Sequence, residues 1–470
     1  MIASMIRFKH WLLGAGGLVA LPIGGSVVSV GQVPGPAPNF HPPVVFVPEH
    51  SECCFNGIAL GDLDNDGDLD LAAAEEVNGS SNFVTIYTNT GIRSPPGTNG
   101  FAFHQRLVVS QSPNTHEPHE VAFANLNGDA YLDLAVSCTE GAARIFFNTG
   151  PAGNPPFEFR LFDYPGEEMF RGDHGYGLAV ADLDLNGRDD VAVATPMPEV
   201  LDPNADRVRL GWVYGSSGFG AEQELDLMLR DETSDHSFDI VAGEFQVFDV
   251  GLLDGPLAPP TTKAFPDLVT SNPGARAPEI LNLDPTVSLI WNVGGVFTIN
   301  NRAHSSGNWV FERIAAGRLN PGLATDDVVA VDLTANAVHV LRPDGAGDFI
   351  YDPHPDTGDH YPLNGLAENP TGIAVGSINA GTALDVVVSA FGDGDSLPPR
   401  IVVFRGLDNG RLSREAHAFP LSLAQLPPEL SAPNKYMMQV ATGDLNGDGL
   451  GDVVVAAYWL ARFNIFIGQP

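Results

Sequence analysis

The chain has 470 residues, a 44% hydrophobic fraction, and 58 acidic against 23 basic side chains, for a net charge of −35. That balance excludes nucleic acid and anionic membrane surfaces as partners, because both repel a polyanion. Three cysteines, Cys53, Cys54 and Cys138, are too few for a disulfide framework, and none has a metal–thiolate spacing.

At the start, Arg7 and Lys9 precede an apolar run from Trp11 to Ile23, and small residues follow. This order predicts a secretory signal over residues 1–31, with cleavage after Gly31. An uncleaved N-terminal anchor is the alternative, since the run approaches a bilayer-spanning length. No later segment is apolar enough to span. The expected location is secreted, extracellular or periplasmic, with the cell surface as the variant for an anchored chain. Residues 32–43, with PGPAPNFHPP, read as an extended linker. The run VVFVPEH, residues 44–50, reads as an isolated strand.

The next stretch, ALGDLDNDGDLDLAAAE, places Asp62, Asp64, Asp66, Asp68 and Asp70 around Gly67. Carboxylates at every second position of a tight loop turn inward on one point, and the glycine permits the turn. Hard oxygens in that arrangement suit Ca²⁺ and would otherwise repel one another. The loop lies between short apolar runs of strand length, not between amphipathic helices.

The pattern recurs along the chain. Asn125, Asn127, Asp129 and Asp133 form a partial copy with Ala130 where the glycine is expected. Asp182, Asp184, Asn186 and Asp190 form a third, and Asp444, Asn446, Asp448 and Asp452 a last one. Three further copies keep the strands but lose the ligands; they close at Asp267, Asp327 and Asp385. The seven closing aspartates, beginning with Asp70, are separated by 63, 57, 77, 60, 58 and 67 residues. Each repeat then runs through an apolar strand to a Gly/Asn-rich turn, so each reads as four strands with the acidic loop between the first two. Such units predict an all-β, seven-bladed β-propeller over residues 44–470. The last unit stops after its third strand, and the strand at residues 44–50 is expected to complete that blade and close the ring.

These repeats resemble the FG-GAP and VCBS-type repeats, the calcium-loop blades also found in integrin α-subunit heads. The Phe-Gly and Gly-Ala-Pro signatures are mostly missing, so the resemblance is nearer the looser VCBS type. It implies Ca²⁺ at the loops, strongest in units one, three and seven, weaker in unit two. The expected role of the metal is to stiffen each turn, with a regulated sensor as the alternative. Relatives of this kind serve as adhesion modules, lectins, lyase domains and secreted proteins of other kinds; fold alone does not choose among them.

Polar residues precede several first strands: Glu117 and His119, His174, His236, Asn369 and Tyr436. They read either as a ring at the mouth of the central channel, fit for a metal, an acid–base pair or a sugar, or as the polar rim of a water-filled channel. Arg171-Gly172-Asp173 and the acceptor sequence at Asn78 are too short to carry weight. Cys53 and Cys54 can bridge each other, one can pair with Cys138, or all three can be buried thiols. The expected function is a secreted, monomeric calcium-binding module for carbohydrate or an extracellular protein. The rival is a lyase-like, polysaccharide-active enzyme with His119, His174, His236 and Tyr436 as candidate catalytic residues.

Overall fold

A computed structural model of the chain describes residues 37–48, 54–75, 82–92, 100–110, 117–139, 143–162, 175–195, 207–213, 219–226, 239–245, 265–272, 286–293, 296–304, 311–344, 349–351, 360–363, 365–392, 397–422, 438–457 and 462–470. The expected signal segment lies outside them. The described residues are strands and connecting turns, with one 3₁₀ turn at Gly150–Ala152. Among them no helix is long and apolar enough to cross a membrane.

The strands form antiparallel sheets in a β-propeller arrangement. The first sheet pairs Phe55–Gly61, Asp70–Glu75, Asn82–Asn89 and Phe101–Ser110 in chain order. Five further sheets repeat this order, with inner strands Pro118–Ala124, Leu178–Ala181, Asp239–Gly243, Phe311–Gly317 and Pro370–Gly376. In a last sheet, Met438–Gly443, Asp452–Ala457 and Arg462–Phe466 are joined by Val44–Phe46, which pairs antiparallel with Arg462–Phe466. Inner strands of consecutive sheets lie side by side, and Met438–Gly443 lies against Phe55–Gly61.

Every second strand starts at a closing aspartate. The sequences DLAAAE, DLAVSC, DVAVAT, DVVAVD, DVVVSA and DVVVAA are buried at all six positions. Burial on both faces explains their uninterrupted apolar character, since a strand covered on one side alternates instead. Successive side chains point to opposite faces, and the cores follow that period. Leu71 and Ala73 pack with Val454 and Ala456 of the last sheet, whereas Ala72 and Ala74 pack with Leu134 and Val136 of the second. The same sharing joins the fifth sheet to the sixth through Val329, Val331, Val386 and Val388.

Near the axis the inner strands run too close for side chains at some positions. A Cβ on Gly57 would collide with the backbone of His119 and Glu120, and one on Gly372 with the Met438 carbonyl. Glycine is required there by proximity, not by an unusual φ.

An asparagine at or near the end of the third strand ties sheets together. Asn148 Nδ2 donates to the Leu132 carbonyl of its own sheet at 3.2 Å and to the Leu63 carbonyl of the preceding one at 2.9 Å. Asn292 reaches Leu183 in the same way at 2.6 Å, and Asn89 reaches Leu445 of the last sheet at 2.9 Å. Asn148→Ala takes the donor from the buried Leu63 carbonyl, at about 1–3 kcal/mol, and from the part-buried Leu132 carbonyl, at about 1 kcal/mol. Urea unfolding is expected to show a loss of about 2–4 kcal/mol with an unchanged denaturant slope.

Candidate metal loops and the axial cavity

The acidic loops are held from below by their closing aspartates. In the first sheet, Asp70 Oδ2 accepts the Leu63 N–H at 2.9 Å and Oδ1 accepts the Asn89 N–H at 2.7 Å. In the last, Asp452 accepts Leu445 N–H and Gly468 N–H, both at 2.8 Å. Asp62 and Asp444 fold the loops from above. Asp62 accepts the N–H groups of Asp66 and Gly67 at 3.1 and 3.0 Å; Asp444 accepts those of Asp448 and Gly449 at 3.1 and 2.8 Å. Gly67 and Gly449 have φ of 96° and 86°, a left-handed turn that a side chain would strain.

Two trios of carboxylates converge. Ligand oxygens of Asp62, Asp64 and Asp70 lie within 4.8 Å of one another, as do those of Asp182, Asp184 and Asp190. Asp64 Oδ1 is buried and accepts no hydrogen bond. Burial, and next the charges of Asp66 and Asp62, push the Asp64 carboxyl up. Three like charges around an unsatisfied buried oxygen fit a hard divalent cation, which supplies the missing partner and removes the repulsion. Asp66 is exposed, accepts the Asp68 N–H at 2.9 Å, and stands outside the trio with Asp68. The last loop has two carboxylates, Asp444 and Asp448, with the Asn446 amide between them donating to Asp448 at 3.0 Å.

Where the loop has fewer carboxylates, nitrogen donors reach the closing aspartate. Asn127 Nδ2 donates to Asp129 and Asp133 at 3.0 and 3.3 Å, while Asn125 accepts the Gly128 N–H at 2.9 Å. Asn379 Nδ2 sits on both oxygens of Asp385 at 2.9 and 2.8 Å. In the fifth sheet, Arg342 Nε donates to Asp327 at 3.2 Å. Arg342 carried no signal in the repeat pattern, because it comes from the third strand and not from the loop.

A second polar cluster lies on the axis, in a cavity of about 180 Å³ lined from every sheet. Arg313 pairs with Glu120 across the ring, and Asp239 Oδ1 is 3.9 Å from the same guanidinium nitrogen. Glu120 Oε2 accepts the Leu178 N–H at 3.2 Å, and Asp239 Oδ2 accepts the Ile314 N–H at 2.9 Å. Burial pushes Asp239 up and Arg313 down, since each charged form loses water.

His119 stacks on Tyr176 with ring centroids 4.4 Å apart and planes at 30°. Burial, and next the Glu117 charge, push the Tyr176 phenol up. His174, His236 and Tyr436 lie outside the described residues; of the expected ring, Glu117, His119 and Asn369 are described, and Asn369 Nδ2 donates to the Gly392 carbonyl at 2.7 Å. Cys138 is a buried thiol and Cys54 is disulfide-bonded, so the pairing does not run through Cys138.

The FG-GAP-like repeat family matches residues 62–136, and the FG-GAP repeat matches residues 438–461. These segments contain the first, second and last acidic loops. No curated protein matches the chain. Among solved structures, the chain is similar to a streptogramin B lyase at 13% identity over 91% of this chain and 97% of that one, with a TM-score of 0.48. It is similar to BBS1N, solved in complex with ARL6DN, at 11% identity over 91% and 98%, with a TM-score of 0.46. An Agrocybe aegerita lectin described as recognising non-reducing terminal N-acetylglucosamine is similar at 14% identity over 78% and 80%, with a TM-score of 0.45.

Proposed function

We propose that this chain, an FG-GAP repeat β-propeller protein, is a secreted, calcium-stabilised binding module whose ligand is a carbohydrate or an extracellular protein. In this reading each sheet is one blade of a seven-bladed ring, and Val44–Phe46 closes it by completing the last blade. Calcium occupies the Asp62, Asp64, Asp70 and Asp182, Asp184, Asp190 trios, with a further site at Asp444, Asp448 and Asp452. The observation that carries the reading is the convergence of each trio around one point. The loops follow the C-terminal ends of the inner strands, whereas Glu120, Asp239 and Arg313 lie in the first halves of theirs. Metal therefore rigidifies one end of the molecule and leaves the axial polar groups for recognition.

The test is binding of the chain from Gln32 onward to glycan and matrix-protein arrays, in Ca²⁺ and after chelation, with folding followed by circular dichroism. A hit that disappears together with the folded signal supports the reading. Folded, calcium-loaded protein that captures nothing overturns it.

Proton linkage gives a second test. Burial pushes Asp70 and Asp452 up to about 7 in the metal-free chain, so both hold a proton through the mildly acidic range. Their folded-state values lie above the unfolded value, so this contribution to stability is present at low pH and lost as pH rises through about 7. Calcium requires the ionised form. Titration calorimetry is expected to show proton release on binding and affinity that climbs from pH 5.5 to 7.5, then levels.

A further inference from the structure

The axial cavity has a chemistry that the metal loops lack. Its polar wall consists of Glu120, Asp239, Arg313 and Gln439, and its apolar wall includes Ile58 and Ile373. Gln439 Nε2 is buried there and has no hydrogen-bond partner. A buried amide nitrogen left in that state costs free energy, so it points to an occupant that accepts a hydrogen bond. Each carboxylate oxygen can accept two hydrogen bonds. Glu120 Oε2 takes the Leu178 N–H, and Asp239 takes those of Ile240 and Ile314, which leaves room for donors from an occupant. The Glu120 side chain keeps 18% of its surface exposed, so the cavity reaches solvent beside it.

Charge and size restrict the occupant. Arg313 offsets Glu120, and burial holds Asp239 towards its neutral form, so the cavity carries little net charge. A half-buried site whose charges are already paired offers an ion of either sign no free counter-charge to offset its lost hydration. Its volume of about 180 Å³ is smaller than a drug-sized pocket of roughly 300–1,000 Å³. The occupant must be small and neutral, and it must both donate and accept hydrogen bonds. Clustered hydroxyl groups meet all three conditions.

We propose that the axial cavity binds one neutral monosaccharide unit, with Gln439 and Arg313 donating to its hydroxyl oxygens and Glu120 and Asp239 accepting from its hydroxyl protons. This rests on the carbohydrate form of the function proposed above. It assigns the ligand to the axis, and so differs from a lectin that binds between sheets.

The experiment uses the calcium-loaded chain and titration calorimetry, with saturation-transfer NMR for weak ligands. Glucose, galactose, mannose and their methyl glycosides are the probes, and glucuronate is the charged control. At least one neutral hexose is expected to bind, and at least tenfold more tightly than glucuronate. Gln439→Leu is expected to weaken it at least tenfold with an unchanged melting temperature. Ile373→Phe, which fills the cavity, is expected to abolish it; should that variant fail to fold, Gln439→Leu decides. Equal binding of the methyl glycoside and the free sugar identifies the end of a glycan as the natural source, and binding of the free sugar alone identifies the free compound. The proposal is overturned if no neutral sugar binds folded protein, or if both variants bind like the parent. Array binding that persists in Ile373→Phe removes the axial site and leaves the binding-module reading intact. A negative array with negative titrations removes both.

Discussion

Arg313→Met is expected to destabilise the protein by about 3–5 kcal/mol, the usual effect of breaking one partner out of a buried ion pair. Arg313 is 6% exposed and sits between Asp239 of the neighbouring fourth sheet and Glu120 of the second, across the axis. Methionine keeps much of the volume and removes the charge, so the part-buried Glu120 is left with the Leu178 N–H as its described partner. The loss therefore measures an uncompensated charge more than a lost contact. Glu120→Gln in the same chain is expected to recover part of it, because a neutral amide no longer needs the guanidinium. Equilibrium unfolding of the single and double variants checks this. Equal stability of Arg313→Met and the parent would mean that water already screens the pair.

Saturating calcium is expected to raise the unfolding midpoint by several degrees, and chelation to reverse the rise. One site occupied at a hundred times its dissociation constant contributes about 2.7 kcal/mol, and the two carboxylate trios would supply two such sites under the proposed function. The sign of a single substitution separates metal binding from hydrogen bonding. Asp64→Asn removes a charge that burial and its neighbours oppose. Without calcium the variant is expected to match or exceed the parent in stability; with calcium it is expected to fall below it. A loop that served only as a hydrogen-bonded turn would show no such inversion. Calorimetric scans with and without the ion distinguish the two.

Much of this architecture was legible because burial leaves a strong mark. Each second strand is covered on both faces, so it reads as an unbroken apolar run introduced by the aspartate that holds the loop. Asp70, Asp133, Asp190, Asp267, Asp327, Asp385 and Asp452 all begin such strands. The acidic loops were legible for the same local reason: their carboxylates lie within nine residues of one another. The cross-ring contacts were not. Glu120 and Arg313 are 193 residues apart and belong to no repeated pattern. Asn89, Asn148 and Asn292 recur at equivalent places, yet asparagine near a strand end reads first as a turn former. The sequence places His119 before an inner strand; it lies within that strand, Pro118–Ala124, and stacks on the Tyr176 ring.

The replacement of metal ligands by nitrogen donors has a consequence for how the ring ages under stress. The fifth and sixth sheets anchor their turns with Arg342 and Asn379, covalent parts of the chain that no chelator removes. The first, third and last sheets carry the carboxylate loops, and the first and last meet where Val44–Phe46 is proposed to close the ring. If the proposed sites hold calcium, ion depletion would act on the first, third and last sheets and spare the fifth and sixth. Under the proposed function, a chain starved of calcium is expected to loosen first where the first and last sheets meet, and to keep the fifth and sixth sheets intact.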